Sequence, residues 1–369
     1  MNIAVLTSSR ADFGIYLPLL KELKKESLFN LTIIAFGSHT SRLHGYTIEE
    51  VYDNGFSDVI SISTTLGNDD ENSITTSYAL TVLKFADLWS IRQKYFDFVL
   101  CLGDRYEMSA AVQAGIPYGI KFCHIHGGET TLGAFDNIYR HQITLASKLH
   151  FPTTSIYRQK IENLIGSKEN IYTVGSLSLQ NIHIDEFPSH IELLAKFDMP
   201  DEPFILVTFH PETASLQSTG KSAEEMFIAL DNLANHFHLL ITMPNADTQG
   251  SVYRKKLYAL KTARSGRITL SENLGKSFYF TAMRSCLMML GNSSSGIIEA
   301  ASFKKFVVNV GIRQLGRARS KNVIDCSFDR EEIFTKSLQV SKLGTFKGRN
   351  IYYRKSPVEK IIKCLSKFK

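Results

Sequence analysis

Short apolar runs alternate along this chain with longer segments whose apolar positions recur every three or four residues. NIAVLTS, residues 2–8, is a β-rich run; beyond the polar loop SSRADFG, the stretch IYLPLLKELKKE has helical spacing. LTIIAFGS, FDFVLCLG, GIKFCHIHGG, SKLHFPTT and NIYTVGS continue the strand series, and DRYEMSAAVQAGI supplies a helix between two of them. PFILVTFHPE, FHLLITMPN, SCLMMLGNSS and FKKFVVNVG extend the series through the second half. Nearly continuous apolar runs mark strands buried on both faces, as in a parallel sheet covered by helices. Alternation of this kind predicts an α/β architecture.

Length turns one such sheet into two. A chain of 369 residues exceeds one ordinary core and suits two domains. We expect a first domain over residues 1–178, a second over 179–350, and a tail over 351–369. The tail segment SPVEKIIKCLSKFK reads as one amphipathic helix with Ile361, Ile362 and Leu365 on one side.

An apolar fraction of 44% with 21% charged residues is globular. The net charge of +6 comes from lysines in ELKKES, YRKKLYALKTAR and the tail, a mild field that suits a small anionic ligand. No dense Lys/Arg stripe with interleaved aromatics is present, so no nucleic-acid partner is expected. Cys101, Cys123 and Cys286 lie in apolar runs, and none of the five cysteines has CxxC spacing, which favours buried thiols in a reducing compartment. The N-terminus lacks a secretory pattern and no run approaches the roughly 18 apolar residues of a membrane span. A soluble, cytoplasmic protein is expected.

In open parallel sheets, ligands bind beyond the carboxyl ends of the strands. The loops at those ends carry the unusual chemistry: SSRADFG, GDRYE, HIHGGETTLGAFD, HPET, PNAD, GNSSSG and GIRQLGR. Asp104 stands where a helix begins, so its ordinary role is an N-cap. Arg105 beside it offers a fork for phosphate or carboxylate. His124, His126, Glu129, Asp136, Arg140 and His141 fall within a short stretch, and Asp136 and Arg140 have the spacing of a surface ion pair worth about 0.3–0.5 kcal/mol. His124 and His126 share one face of a strand, but Cys123 points away and no third ligand has metal-site spacing, so no metal is expected. His210 ends a buried strand and precedes Pro211 and Glu212, a place from which it can donate to an anion.

GNSSSGIIE, residues 291–299, joins a strand to a helix through small hydroxyl residues. Backbone N–H groups and hydroxyls at such a corner form a phosphate cradle. It is neither a Walker loop nor GxGxxG. Glu299 is placed to accept the two hydroxyls of a ribose; the ordinary alternative is a helix cap with an acid behind it.

SSRADFG, GDRYE, HIHGGE, RHQIT, FHPET, GNSSSGIIE and GIRQLGR, in this order, resemble the hydrolysing UDP-N-acetylglucosamine 2-epimerases, in their sialic- and legionaminic-acid branch. The resemblance covers nearly the whole chain and implies a GT-B-like fold: two Rossmann-like domains with UDP in an interdomain cleft and a C-terminal helix packed back toward the first domain. It implies homodimers or dimers of dimers, with no nicotinamide or other cofactor and no catalytic metal. It places UDP against Arg10, Arg105, His210, Asn245, Ser293, Ser294, Gly296, Glu299 and Arg313. Asp104, Asp136 and Arg140 match catalytic or sugar-site positions. Where some members read HIEGGE this chain reads HIHGGE, so His126 or Glu129 takes the role of a catalytic Glu.

The implied reaction inverts C2 of a 2-acetamido sugar and cleaves UDP from C1. H2 is α to no carbonyl, so it leaves with the departing UDP, giving a 2-acetamidoglycal; water then adds to C1 as a proton returns to C2 from the opposite face. A base and an acid on different faces are needed, and we expect Asp104, Glu129 and Asp136 to share those transfers while His210 assists departure of UDP. HIHGGETT followed by GAFD looks closest to the branch acting on UDP- or GDP-linked N,N'-diacetylbacillosamine, with UDP-N-acetylglucosamine as the alternative. A GT-B glycosyltransferase and a non-catalytic nucleotide-sugar sensor are the competing classes.

Overall fold

A computed structural model describes residues 1–68, 70–131, 136–182, 187–210, 219–243 and 250–369. The chain divides into two units: Met1–Glu129 with Phe135–Gln180 and Tyr352–Lys369, and Thr130–Ala134 with Asn181–Ile351.

The first unit holds strands β1 (Asn2–Thr7), β2 (Asn30–Phe36), β3 (Val59–Ile62), β4 (Phe98–Leu102), β5 (Phe122–Ile125) and β6 (Ser147–Phe151). Between and after them run helices α1 (Arg10–Lys25), α2 (Ile48–Asp53), α3 (Glu71–Arg92), α4 (Tyr106–Gly115), α5 (Asp136–Ala146) and α6 (Ser155–Ile165). All pairings are parallel and the order is β3-β2-β1-β4-β5-β6. Alternate residues of one strand feed opposite faces. Ile3 and Val5 join a core with Phe13, Leu19 and Leu100, whereas Ala4 and Leu6 join another with Phe85, Trp89 and Met108. Each Ile, Leu or Val side chain so buried contributes about 1.5–3 kcal/mol.

The second unit repeats the plan. Helix α7 (His190–Phe197) precedes β7 (Phe204–Thr208), α8 (Thr219–Leu233), β8 (His238–Thr242), α9 (Gly250–Ala263) and β9 (Ile268–Ser271). Then come α10 (Gly275–Ser285), β10 (Met289–Gly291), α11 (Ser294–Ile298), β11 (Val307–Val310), β12 (Val323–Cys326) and α12 (Arg330–Ser341). The order is β12-β11-β10-β7-β8-β9, again all parallel. Taken in sequence order, both sheets are 3-2-1-4-5-6, the doubly wound Rossmann order. The last helix, α13 (Pro357–Ser366), belongs to the first unit, where Val358, Ile361, Cys364 and Leu365 complete its core. Tyr352 ties it in: its hydroxyl lies 2.8 Å from that of Tyr157 and its carbonyl accepts Ser176 N–H at 3.0 Å.

Several local expectations change. SSRADFG is largely helix: Ser9 caps α1 and Asp12 closes a capping box. NIYTVGS is no strand and pairs only through one isolated bridge, His150 with Ile171. The helical run after GNSSS breaks at Glu299, where α11 gives way to a 3-10 turn over Ala300–Phe303. Strands β3, β9 and β12 had no counterpart in the apolar runs; each lies at a sheet edge.

Candidate active site

The strand order reverses between β1 and β4 and between β7 and β10, and such switch points are where doubly wound sheets bind ligands. Most of the candidate residues sit just beyond these four strands.

In the first unit, Asp12 organises the end of β1. Its carboxylate accepts the backbone N–H groups of Ser8 and Ser9, both at 2.8 Å, and their hydroxyls at 3.0 and 2.9 Å. This buried acid sets the turn from which Arg10 emerges, half exposed, 3.9 Å from Glu50. Asp12 was not among the candidates, although its spacing from Ser9 is the capping-box signature.

Beyond β4, Asp104 does not cap a helix. The N-cap of α4 is Arg105, with no side-chain cap, and Asp104 instead pairs with Arg140. Arg140, expected on the surface of α5, is only 2% exposed, and its ion pair with Asp104 reaches off that helix. The same guanidinium donates to the Glu129 carbonyl at 2.7 Å and to Asn137 Oδ1 at 3.1 Å. It therefore gathers the ends of β4 and β5 onto α5. Glu129 is buried, and its carboxylate accepts the Thr153 hydroxyl at 3.3 Å. Asp136 opens α5. Arg105 commits two N–H groups to the buried Glu107, at 2.7 and 3.2 Å, rather than holding its fork open.

The two histidines part company. His124 Nε2 lies 2.9 Å from the Gly103 carbonyl, which can only accept, so Nε2 carries the proton; Nδ1 accepts the Thr144 hydroxyl at 3.0 Å. Burial pushes its pKa down to about 3. It is a neutral strut between β4 and α5. His126 lies past the end of β5 with φ of 64°, so the strand alternation that would align it with His124 stops before it. Among the described residues no group of three or more His, Cys, Asp or Glu side chains is arranged to hold a metal ion.

In the second unit, β10 ends against β7 at Gly291, whose φ is 135°; a Cβ there would stand 2.0 Å from the Thr208 carbonyl oxygen. Only glycine permits that approach. Asn292 follows, fully buried. It accepts His210 N–H at 2.8 Å and donates to the His210 carbonyl at 2.9 Å. Its own carbonyl accepts from Arg313 at 3.2 Å and Gln314 at 2.9 Å. One asparagine thus joins the loops after β7, β10 and β11. It too was not singled out, though an amide directly behind a strand-ending glycine was its signal.

Ser293 caps α11, its hydroxyl accepting Ser295 N–H at 3.3 Å. Ser294 is half-buried at the first position of the helix. At Gly296 a Cβ would press Val307 at 2.9 Å, so the glycine lets α11 lie against β11. Glu299, buried, ends the helix near the Tyr279 phenol. Burial, then the Arg313 charge, pushes the His210 pKa down to about 4, so at neutral pH it is an uncharged imidazole. Asn245, with Pro211 and Glu212, lies outside the described residues.

The chain as a whole is similar to known proteins. The family model described as UDP-N-acetylglucosamine 2-epimerase matches residues 21–366. The GDP/UDP-N,N'-diacetylbacillosamine 2-epimerase (hydrolyzing) of Campylobacter jejuni is 33% identical over 337 residues, 91% of this chain and 87% of that protein. The UDP-N,N'-diacetylbacillosamine 2-epimerase (hydrolyzing) of Legionella pneumophila is 32% identical over 352 residues, 95% of this chain and 92% of that protein. In fold, the chain is similar to the UDP-GlcNAc 2-epimerase of Neisseria meningitidis, crystallised with UDP-GlcNAc, at a TM-score of 0.81 and 16% identity over 100% of both chains. The α/β, GT-B-like fold is the one these structures share. A match that takes in every strand of both sheets except β1 leaves little of the chain outside it, and the chain belongs to the UDP-N-acetylglucosamine 2-epimerase family.

Proposed function

We propose that the chain is a hydrolysing nucleotide-sugar 2-epimerase whose substrate is UDP- or GDP-linked N,N'-diacetylbacillosamine, released as 2,4-diacetamido-2,4,6-trideoxymannose plus the nucleoside diphosphate. The two bacillosamine 2-epimerases, each about one-third identical over more than nine-tenths of the chain, support that substrate. The observation that carries the chemistry is Arg140, one buried cation that pairs with the Asp104 carboxylate and holds the backbone carbonyl of Glu129.

Asp104, oriented by its ion pair with Arg140, is the base in this reading. It takes H2 as the C1–O bond breaks and the electron pair leaves with the diphosphate. Glu129 and Asp136 then serve hydration, one activating water for C1 while a proton returns to C2 from the opposite face. His126 lies beside them in the chain and shares the family position of a catalytic Glu. Charge growing on the departing diphosphate calls for preorganised donors; Arg10, His210, Ser293, Ser294 and Arg313 are of that kind, and Arg105 adds only the N–H groups that Glu107 leaves to it. Glu299 accepts the ribose hydroxyls, and Gly296 keeps the corner tight. No cofactor enters this chemistry. A homodimer and a reducing, cytoplasmic setting belong to the same proposal; the five unpaired buried cysteines fit the latter. No helix among the described residues is long and apolar enough to cross a membrane.

The test is to compare kcat/KM on the UDP- and GDP-linked bacillosamine sugars and on UDP-N-acetylglucosamine. At least tenfold preference for a bacillosamine substrate is expected. Preference for UDP-N-acetylglucosamine would move the substrate; turnover only with an acceptor would make the protein a glycosyltransferase; binding without turnover would make it a sensor.

A further inference from the structure

Five hydroxyls stand in one line behind the serine corner. Thr242 Oγ1, at the end of β8, donates to Thr208 Oγ1, at the end of β7, at 3.1 Å. Thr208 Oγ1 lies 3.2 Å from Tyr279 Oη on α10, and Tyr279 Oη lies 2.6 Å from Ser295 Oγ. Ser295 Oγ in turn lies 2.9 Å from Ser293 Oγ.

Each hydroxyl has one proton to give. If every member donates to the next, starting from Thr242, the proton left over is that of Ser293. Ser293 Oγ already accepts the Ser295 backbone N–H, so in this polarity both of its lone pairs are engaged and it meets a ligand only as a donor. A diphosphate oxygen can only accept, so it selects that polarity, and successive hydrogen bonds polarise one another and strengthen the last donor. Burial pushes the Tyr279 phenol up to about 12, so it keeps its proton at any working pH.

We infer that Tyr279 is a positioning residue for the diphosphate: its hydroxyl holds Ser295 and, through Ser295, turns the Ser293 hydroxyl toward an acceptor-only anion. Ser295 is thereby an internal link, and Ser293 is the serine the relay presents. The inference rests on the nucleotide-binding role proposed above for this corner. The ring of Tyr279 packs against the apolar cluster of Leu206, Leu240 and Met283, so phenylalanine can keep the packing while losing the hydroxyl.

The experiment compares UDP with uridine, which has no phosphate, in wild type, Tyr279→Phe and Ser295→Ala, by calorimetry for UDP and NMR titration for uridine. Tyr279→Phe should weaken UDP about five- to tenfold and leave uridine within twofold, the loss expected for one polar contact. Ser295→Ala should do the same, and the double variant should be no worse than the poorer single one. Equal weakening of UDP and uridine, or UDP binding like wild type in Tyr279→Phe, would overturn the role. Wild type that binds neither UDP nor GDP would instead sink the nucleotide-binding reading itself. Should Tyr279→Phe not fold, Ser295→Ala carries the same comparison.

Discussion

Asn292 and His210 exchange two hydrogen bonds, 2.8 Å from the His210 N–H to Oδ1 and 2.9 Å from Nδ2 to the His210 carbonyl. The pair spans the switch point of the second sheet and fixes where the histidine stands. Asn292→Ala strands two backbone groups, each costing about 1–3 kcal/mol when buried without a partner. We expect stability to fall by about 2–4 kcal/mol and kcat/KM by tenfold or more. Urea unfolding and steady-state kinetics check both.

Asp104→Asn keeps the shape and one acceptor for Arg140 but cannot take a proton. A positioned base typically contributes 10²–10⁴-fold, so kcat should fall at least about a hundredfold while the UDP Kd stays within twofold. Asp136→Asn should behave similarly. Normal turnover in both would remove these acids from the mechanism.

Elimination and hydration deliver a proton to C2 from solvent. Turnover in D₂O should therefore give free sugar carrying deuterium at C2, read by NMR or mass spectrometry. A product with only protium there would exclude the elimination route.

Three histidines, His124 and His150 buried and His210 half-buried, make stability pH-dependent. Burial is the leading cause in each case, lowering His124 to about 3 and His150 and His210 to about 4, below the ordinary 6.5. As pH falls below 6.5 the unfolded chain takes up these protons before the folded one. The stability is present in full above about 6.5 and is lost toward pH 4, by up to about 1.4 kcal/mol per pH unit for each histidine. Urea midpoints at pH 7 and pH 5 should show the loss, and His124→Gln should flatten the slope. An unchanged midpoint would contradict it.

Gly291→Ala would drive a Cβ to within 2.0 Å of the Thr208 carbonyl, in a backbone conformation that L-residues avoid. We expect a loss of about 3 kcal/mol or more, seen as a large fall in Tm.

The strands that could be read from the chain are the ones buried on both faces. β1, β4 and β7 are almost wholly buried and appear as continuous apolar runs. β3 and β12 are edge strands with mostly partial burial, so VISI and VIDC carry a weaker apolar signal than the central strands. β9, a third edge strand, is more buried but short, and its ITLS alternates apolar and hydroxyl residues, whereas the fourth edge, β6, is legible through its buried end Leu149–Phe151.

The loop chemistry was equally legible in kind and not in partnership. That acids, an arginine and histidines follow the strands, and that serines follow Gly291, is determined by the sequence, because strand ends deliver their next residues to one edge of a parallel sheet. Which group meets which was decided only by the tertiary structure. Asp104 finds Arg140, thirty-six positions away, instead of capping its own helix. His124 becomes a strut, and Asn292 becomes the tie among three loops. Periodicity records how much of each residue is buried along its own element; a hydrogen-bond partner on another strand leaves no periodic trace, since it depends on strand order and on the angle at which each helix returns to the sheet.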